Sequence, residues 1–267
     1  MKKNNRTFSA VVITMMTLNL LIVGCATNTT TDDSMVTTER QECFLKHFTH
    51  LRENDCDLAI TADLPVKGAK TVIDSITVFL NEQLYEYFDK GEDGFRLPYE
   101  TVVTTDIPHL LEHYRDAYSP YFDADSTHIC EFATHCLELN MVAQTATYIT
   151  YEINNVFFGE GIEEARSWVT FAKADGHRLR SVISPENLVR FFQEHPEQRN
   201  SDIWDDIQSK TENNESLRVF NVGLLNDSLA FQYIWMTGAY DDSKYDLTAL
   251  RPYLSAEAQE LINANGQ

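Results

Sequence analysis

TYITYEINNVFFGEGIEEARSWVTFAKADGH, residues 147–177, holds two strand-like runs about one glycine corner. Tyr148, Thr150 and Glu152 alternate with Ile149, Tyr151 and Ile153, the period of a half-buried strand. Gly159 and Gly161 allow a tight reversal with positive φ, and the run from Ser167 returns as a second strand. Two such strands about a corner form a hairpin. The same corner gathers Phe157, Phe158, Glu160, Glu163 and Glu164, with Trp168 just beyond it. It is therefore a turn first and a candidate binding surface second.

Working outward, residues 42–51 and 57–66 read as two strands joined by the turn-like REND. The clearest helix follows over Ala69–Lys90, where Val72, Ile73, Ile76, Phe79, Leu80, Leu84 and Phe88 recur at three- and four-residue spacing. A second helix starts near Asp106, with Pro108 in its first turn, buries Ile107, Leu110, Leu111, Tyr114 and Tyr118, and stops by Pro120. From about Thr127 the pattern turns to long β segments. SPENLVRFFQEHPE is a helix with Ser184 as N-cap and Pro185 at its first position. Residues 197–216 read as loop with a short helix around Trp204, two strands meet across Asn226-Asp227, and a last helix begins at Ser255. The fold class is α+β: antiparallel sheets with helices packed on one side, in two modules, 40–126 and 127–267.

The chain begins with an address. Lys2, Lys3 and Arg6 precede an apolar run, Phe8–Val23, that is short of the roughly 20 residues a spanning helix needs. It ends in LIVGC, residues 21–25, which resembles the lipobox of bacterial lipoproteins and implies cleavage before Cys25 and acylation there. Residues 1–24 are then a signal peptide and 25–39 a flexible tether, polar at its start. Ala26 rather than Asp after the cysteine favours an outer membrane where one exists. The expected location is the cell envelope, with the protein lipid-anchored.

Of 267 residues, 41 are acidic and 21 basic, a net charge of −20 that loss of the leader only deepens. Such a surface repels nucleic acid and suits a basic partner. Beyond Cys25 stand Cys43, Cys56, Cys130 and Cys136, an even number that in an exported chain permits two disulfides with the connectivity open.

Chemical motifs are sparse. Asp89, Asp93, Gly94 and Glu100 fall at calcium-loop positions, but Gly91 offers no ligand, Pro98 sits where the exit helix should begin, and the following residues read as extended. Cys43, His47, His50 and Cys56 have a spacing that suggests zinc, yet on a strand His50 points away from the others. His128, Cys130, His135 and Cys136 share that weakness. No nucleophile elbow, P-loop or dinucleotide fingerprint is present, and neighbouring acids such as Asp205-Asp206 and Asp241-Asp242 read as solvated surface. Neither a metal nor a cofactor is implied, and no catalytic residue is assigned. Among the aromatics, Trp168 and Trp235 could stack on sugar rings or anchor a protein if exposed.

Three segments carry a resemblance: TYITYEINNVFFGEG with SWVTFAKADGHRLR, the helix SPENLVRFF, and VGLLNDSLAFQYIW followed by YDLTALRPYLS. Together they resemble the extracytoplasmic domain of RsiV-type anti-sigma factors, which also accompanies the catalytic domain of PdaC-type peptidoglycan deacetylases. Residues 40–125 resemble the domain that often precedes it. Relatives commonly carry Gly-Gly-Ala-His at the corner; here Gly159–Ala165 has no histidine, which puts any polar role of that residue in doubt. The resemblance implies a non-catalytic binding module. RsiV-type relatives recognise lysozyme, a small basic protein, so a lysozyme-like hydrolase is the expected partner. Peptidoglycan or another glycan is the alternative ligand, and a wall-polymer hydrolase a more distant one.

Overall fold

The computed structural model describes residues 35–47, 56–88, 97–122, 134–158, 162–212, 220–234 and 240–265. Its largest element is a five-stranded sheet of β1 (Thr37–His47), β2 (Cys56–Lys67), β3 (Thr134–Gln144), β4 (Tyr148–Phe158) and β5 (Ile162–Ala172), in that spatial order. Neighbours are antiparallel except β2 and β3, which run parallel. Strands from both sides of the expected 126/127 boundary pair in this sheet, and residues 33–267 group as one unit. A parallel pair needs a long crossover. Here it is supplied by α1 (Lys70–Phe88), the single turn α2 (Tyr99–Val102), and α3 (Leu110–Phe122) entered through a 3-10 turn at Ile107–His109.

Helix α1 buries Val72, Ile76, Phe79, Leu80 and Leu84, most of the stripe its spacing predicts, and α3 buries Leu110, Leu111, Tyr114 and Tyr118. They close over Ile60, Ala62 and Leu64 of β2, Leu137 and Leu139 of β3, and Ile149 and Tyr151 of β4. Each large apolar side chain fully buried there contributes roughly 1.5–3 kcal/mol. Asn81 fixes the crossover. Its Nδ2 donates to the carbonyls of Thr77 and Thr104, both at 2.9 Å, and its Oδ1 accepts from the Thr104 amide and the Tyr114 hydroxyl.

Two local readings are corrected. Helix α3 continues through Pro120 to Phe122. A proline this close to the C-terminus costs only one late hydrogen bond. Residues 99–102 are helical rather than extended, because both the amide and the hydroxyl of Thr101 bond to the Pro98 carbonyl.

The second sheet is antiparallel: β6 (Phe220–Leu224), β7 (Ser228–Ile234) and β8 (Tyr240–Asp246). Around it lie α4 (Pro185–Glu194), α5 (Ser201–Glu212), α6 (Leu247–Leu250) and α7 (Ala256–Ala264). Ser184 and Ser255 cap α4 and α7 as expected, accepting from Asn187 and Ala258. Leu188, Phe191 and Phe192 of α4, Ile203 and Ile207 of α5, and Phe231 of β7 share a second core. Strand β8 was not foreseen: YDDSKYD is polar, and among its described side chains Tyr245 is the buried one, stacking on Phe231 at 5.5 Å.

The two sheets meet where β6 crosses β4 and β5. Thr150 donates to the Leu224 carbonyl (2.6 Å), and the Leu224 amide donates to Thr170 Oγ1 (3.1 Å). Gly223 is required at this crossing, since a Cβ there would stand 2.4 Å from the Trp168 Cβ. Gly176, at φ +80°, turns the chain after β5 against α1, and a Cβ would lie 2.5 Å from the Thr71 carbonyl oxygen. Gly223→Ala and Gly176→Ala are each expected to lose ~1–3 kcal/mol in denaturant unfolding. Wild-type midpoints in both variants would show that neither approach is that close.

His177, in the same turn, joins it to α7. Its Nδ1 lies 2.5 Å from Asp175, and its Nε2 bonds Glu257. Both ring nitrogens thus face carboxylates, and the pKa of His177 is raised first by the Asp175 hydrogen bond and then by Glu257. A raised folded-state pKa stabilises fully below the ordinary value of 6.5 and is lost as pH climbs through the raised one. Amide protection factors in α7 should fall over that window and become flat with pH in His177→Gln. A flat profile in the wild type would exclude the tie.

Candidate functional site

Strand alternation sorts the five-stranded sheet into two faces. Leu137 and Leu139 point to the helices, so Cys136, Glu138 and Asn140 take the other side. Register then aligns rows across the strands. One runs Glu42, Thr61, Glu138, Asn154, Arg166, and the row toward the β4–β5 corner runs Phe44, Ala59, Cys136, Val156, Glu164. On the other side Arg40 faces Asp63, while Asn140, Glu152 and Trp168 lie side by side. The contacts of β6 and β7 with this sheet fall on β4 and β5. On β1, Phe44 is left 59% exposed.

This face is acidic. Among its described side chains, Glu42, Asp63, Glu138, Glu152 and Glu164 oppose Arg40 and Arg166. Arg40 bonds Asp63 at 3.3 Å, Thr61 at 3.0 Å and Asn140, and Asp63 also accepts from the Met141 amide at 2.9 Å. Glu164 holds Arg166, whose amide donates to Gln232 Oε1 of β7 at 2.8 Å. Asn154 lies between Glu138 and Arg166. It is 7% exposed, and its Nδ2 donates to Glu138 at 3.3 Å while its Oδ1 has no partner. Turning the amide over would set that oxygen against a carboxylate, so the orphan is an acceptor. Leaving it unsatisfied costs ~1–3 kcal/mol.

The residues expected at the corner divide. Register pairs Phe157 with Glu163 and Phe158 with Ile162, so the hairpin reading holds. The side chains of Phe157, Phe158 and Glu163, and the whole of Glu160 and Trp235, lie outside the described residues. Glu164 is half-exposed on the acidic face. Trp168 is no platform for sugars: it is 6% exposed, donates its indole N–H to Glu152 at 2.9 Å, and is covered by Gly223. Arg40, Asp63, Glu138, Asn140 and Asn154 were missed because the acids were weighed as sequence neighbours, whereas the face assembles them across strands.

Residues 89–96 of the calcium-like loop, Cys25, Cys130, His128 and His50 lie outside the described residues, as do the side chains of His47, Cys56 and His135. Among the described residues, no three His, Cys, Asp or Glu side chains come together as a metal-holding group. Cys43 and Cys136 are free thiols on opposite faces, with β2 between their strands, so the sheet separates them as a pair.

The architecture is similar to that of a DUF3298 family protein from Pseudomonas aeruginosa PAO1, with a TM-score of 0.51 at 13% identity over 85% of this chain and 98% of that one. The shared property is the fold. A DUF3298 member from Bacteroides fragilis aligns over 85% of this chain and 97% of its own, at 14% identity and a TM-score of 0.49. No family model matches the sequence, and no curated protein does. Within this DUF3298-like fold, the face assignment has a chemical consequence. Burial pushes both thiols up, but Cys136 is half-exposed on the acidic face and Cys43 is buried beneath α3. Peptide mapping after alkylation of the folded protein should show Cys136 modified faster than Cys43. The reverse order would interchange the two faces.

Proposed function

We propose that the protein is a non-catalytic binding module of the bacterial cell envelope, lipid-anchored at Cys25, that captures a basic protein such as a lysozyme-like hydrolase. The observation that carries the reading is the acid-rich sheet face. Glu42 is exposed on it and Glu138, Glu152 and Glu164 are part-exposed, and together their carboxylates favour a donor-bearing, positively charged group. The net charge of −20 adds long-range attraction for the same class of ligand. The exposed Phe44 at the rim of that face offers an apolar contact beside the charges. The resemblance to RsiV-type and PdaC-type extracytoplasmic domains points the same way. No helix among the described residues is long and apolar enough to cross a membrane.

Glycan recognition is the alternative, and it loses Trp168, one of its two expected platforms, to the core. Calorimetric titration of residues 26–267 with a basic lysozyme separates the readings. Binding should persist at physiological salt, weaken as salt rises, and fall about tenfold in Glu42→Gln/Glu138→Gln. Affinity indifferent to both salt and the double substitution would remove the basic partner and make peptidoglycan fragments the next titrant.

A further inference from the structure

The point where the chain enters the domain marks one end of the molecule. The backbone N–H of buried Val36 donates to Gln144 Oε1 at 2.7 Å, and its carbonyl accepts from Gln144 Nε2 at 3.0 Å. Gly68 lies against Val36, and register places Thr37 opposite Lys67. Lys173 Nζ donates to the Thr145 carbonyl at 2.5 Å and lies 3.6 Å from Met35 Sδ. The start of β1, the ends of β2, β3 and β5, the turn before β4 and the first turn of α1 therefore meet here.

This end differs from the rest of the surface. Met35, Val66 and Val142 lie here, three of the six large apolar side chains that stand most exposed among the described residues. Lys67 and Lys70 are exposed beside them, in a chain with twice as many acids as bases. Among the described residues, the acidic groups at hand are Asp74, 2.5 Å from Lys70, and Asp175, occupied by His177. The acidic face begins farther along the strands, and the β4–β5 corner lies ten residues of strand from Tyr148, about 33 Å away.

Met35 follows Cys25 by ten residues, a span that no conformation stretches beyond about 36 Å. From the exposed apolar and lysine side chains together with this short reach, we propose that the protein stands on its membrane on this end. Met35, Val66 and Val142 rest at the headgroup layer, and Lys67 and Lys70 meet anionic headgroup phosphates. The inference rests on acylation at Cys25. Two lysines do not bind a strongly acidic protein to an anionic surface by themselves; they select which end faces it. The acidic face and the β4–β5 corner are then held away from the lipid and open to a partner.

Lysine footprinting tests the orientation on natural residues. The full lipidated chain, reconstituted in vesicles of phosphatidylethanolamine and phosphatidylglycerol, is treated with a water-soluble amine-acylating reagent and compared with residues 26–267 in solution. Lys67 and Lys70 should acylate about fivefold more slowly on vesicles, and less so when phosphatidylcholine replaces both lipids. Exposed Lys244 should be unchanged. Equal rates at Lys67 and Lys70, or protection of Lys244 instead, would overturn the orientation while leaving the anchor intact. A full chain that fails to float with vesicles would overturn the anchor and the orientation together.

Discussion

The parallel pairing of β2 with β3 holds the molecule together. Each neighbouring pair on either side of it, β1–β2 and β3–β4–β5, is a local antiparallel arrangement that the chain could form from adjacent sequence. Five aligned residue pairs, Leu58 with His135 through Ala62 with Leu139, join the two halves. That junction lays Ile60 and Ala62 beside Leu137 and Leu139, giving α1 and α3 one continuous floor to bury their apolar stripes against. It also sets Thr61 beside Glu138 on the opposite face, so the polar rows span all five strands. Asn81 supports the junction from above, tying α1 to the segment before α3 with every polar atom of its amide engaged.

Much of the fold was legible wherever periodicity and capping agree. The stripe of α1, the burial of Leu110, Leu111, Tyr114 and Tyr118, the β4–β5 hairpin and the caps at Ser184 and Ser255 all follow from local spacing and side-chain chemistry. The parallel pair was not legible, since nothing in residues 57–66 names the strand that lies beside them across 66 residues of crossover and connection. Strand β8 was hidden because an acidic edge strand reads as loop. Its charges make a poor template for pairing with another chain, a common property of edges.

The candidate site was less legible for the same reason. Carboxylates adjacent in sequence alternate along a strand and take opposite faces. Carboxylates that share a face come from different strands and become neighbours only once the register is fixed. Glu138 and Asn154 are 16 residues apart, and the pair becomes visible only in the sheet. Trp168 shows the converse error: an aromatic beside a glycine corner suggests a platform, but its alternation places it on the face that β6 covers.

That covering divides the face in a way that matters for binding. Over the first half of β4 and the facing half of β5, Thr150, Thr170 and Trp168 are buried against β6, and their polar atoms are hydrogen-bonded to Leu224 or Glu152. Farther along, Asn154 is buried yet incompletely bonded, and Arg166 is held by Glu164 while its amide is anchored to Gln232. Glu152 belongs to both zones, lying beside Asn140 in the polar rows and accepting the indole N–H of Trp168 from the buried one. Glu152, through Trp168, and Glu164, through Arg166, are thus held by residues that touch the second sheet, while Asp63 and Glu138 are held within the first. A charged surface held in place before a ligand arrives loses less entropy on binding than one built from free side chains. The packing of Gly223 on Trp168, whose indole N–H holds Glu152, is therefore part of how the acidic face keeps its shape.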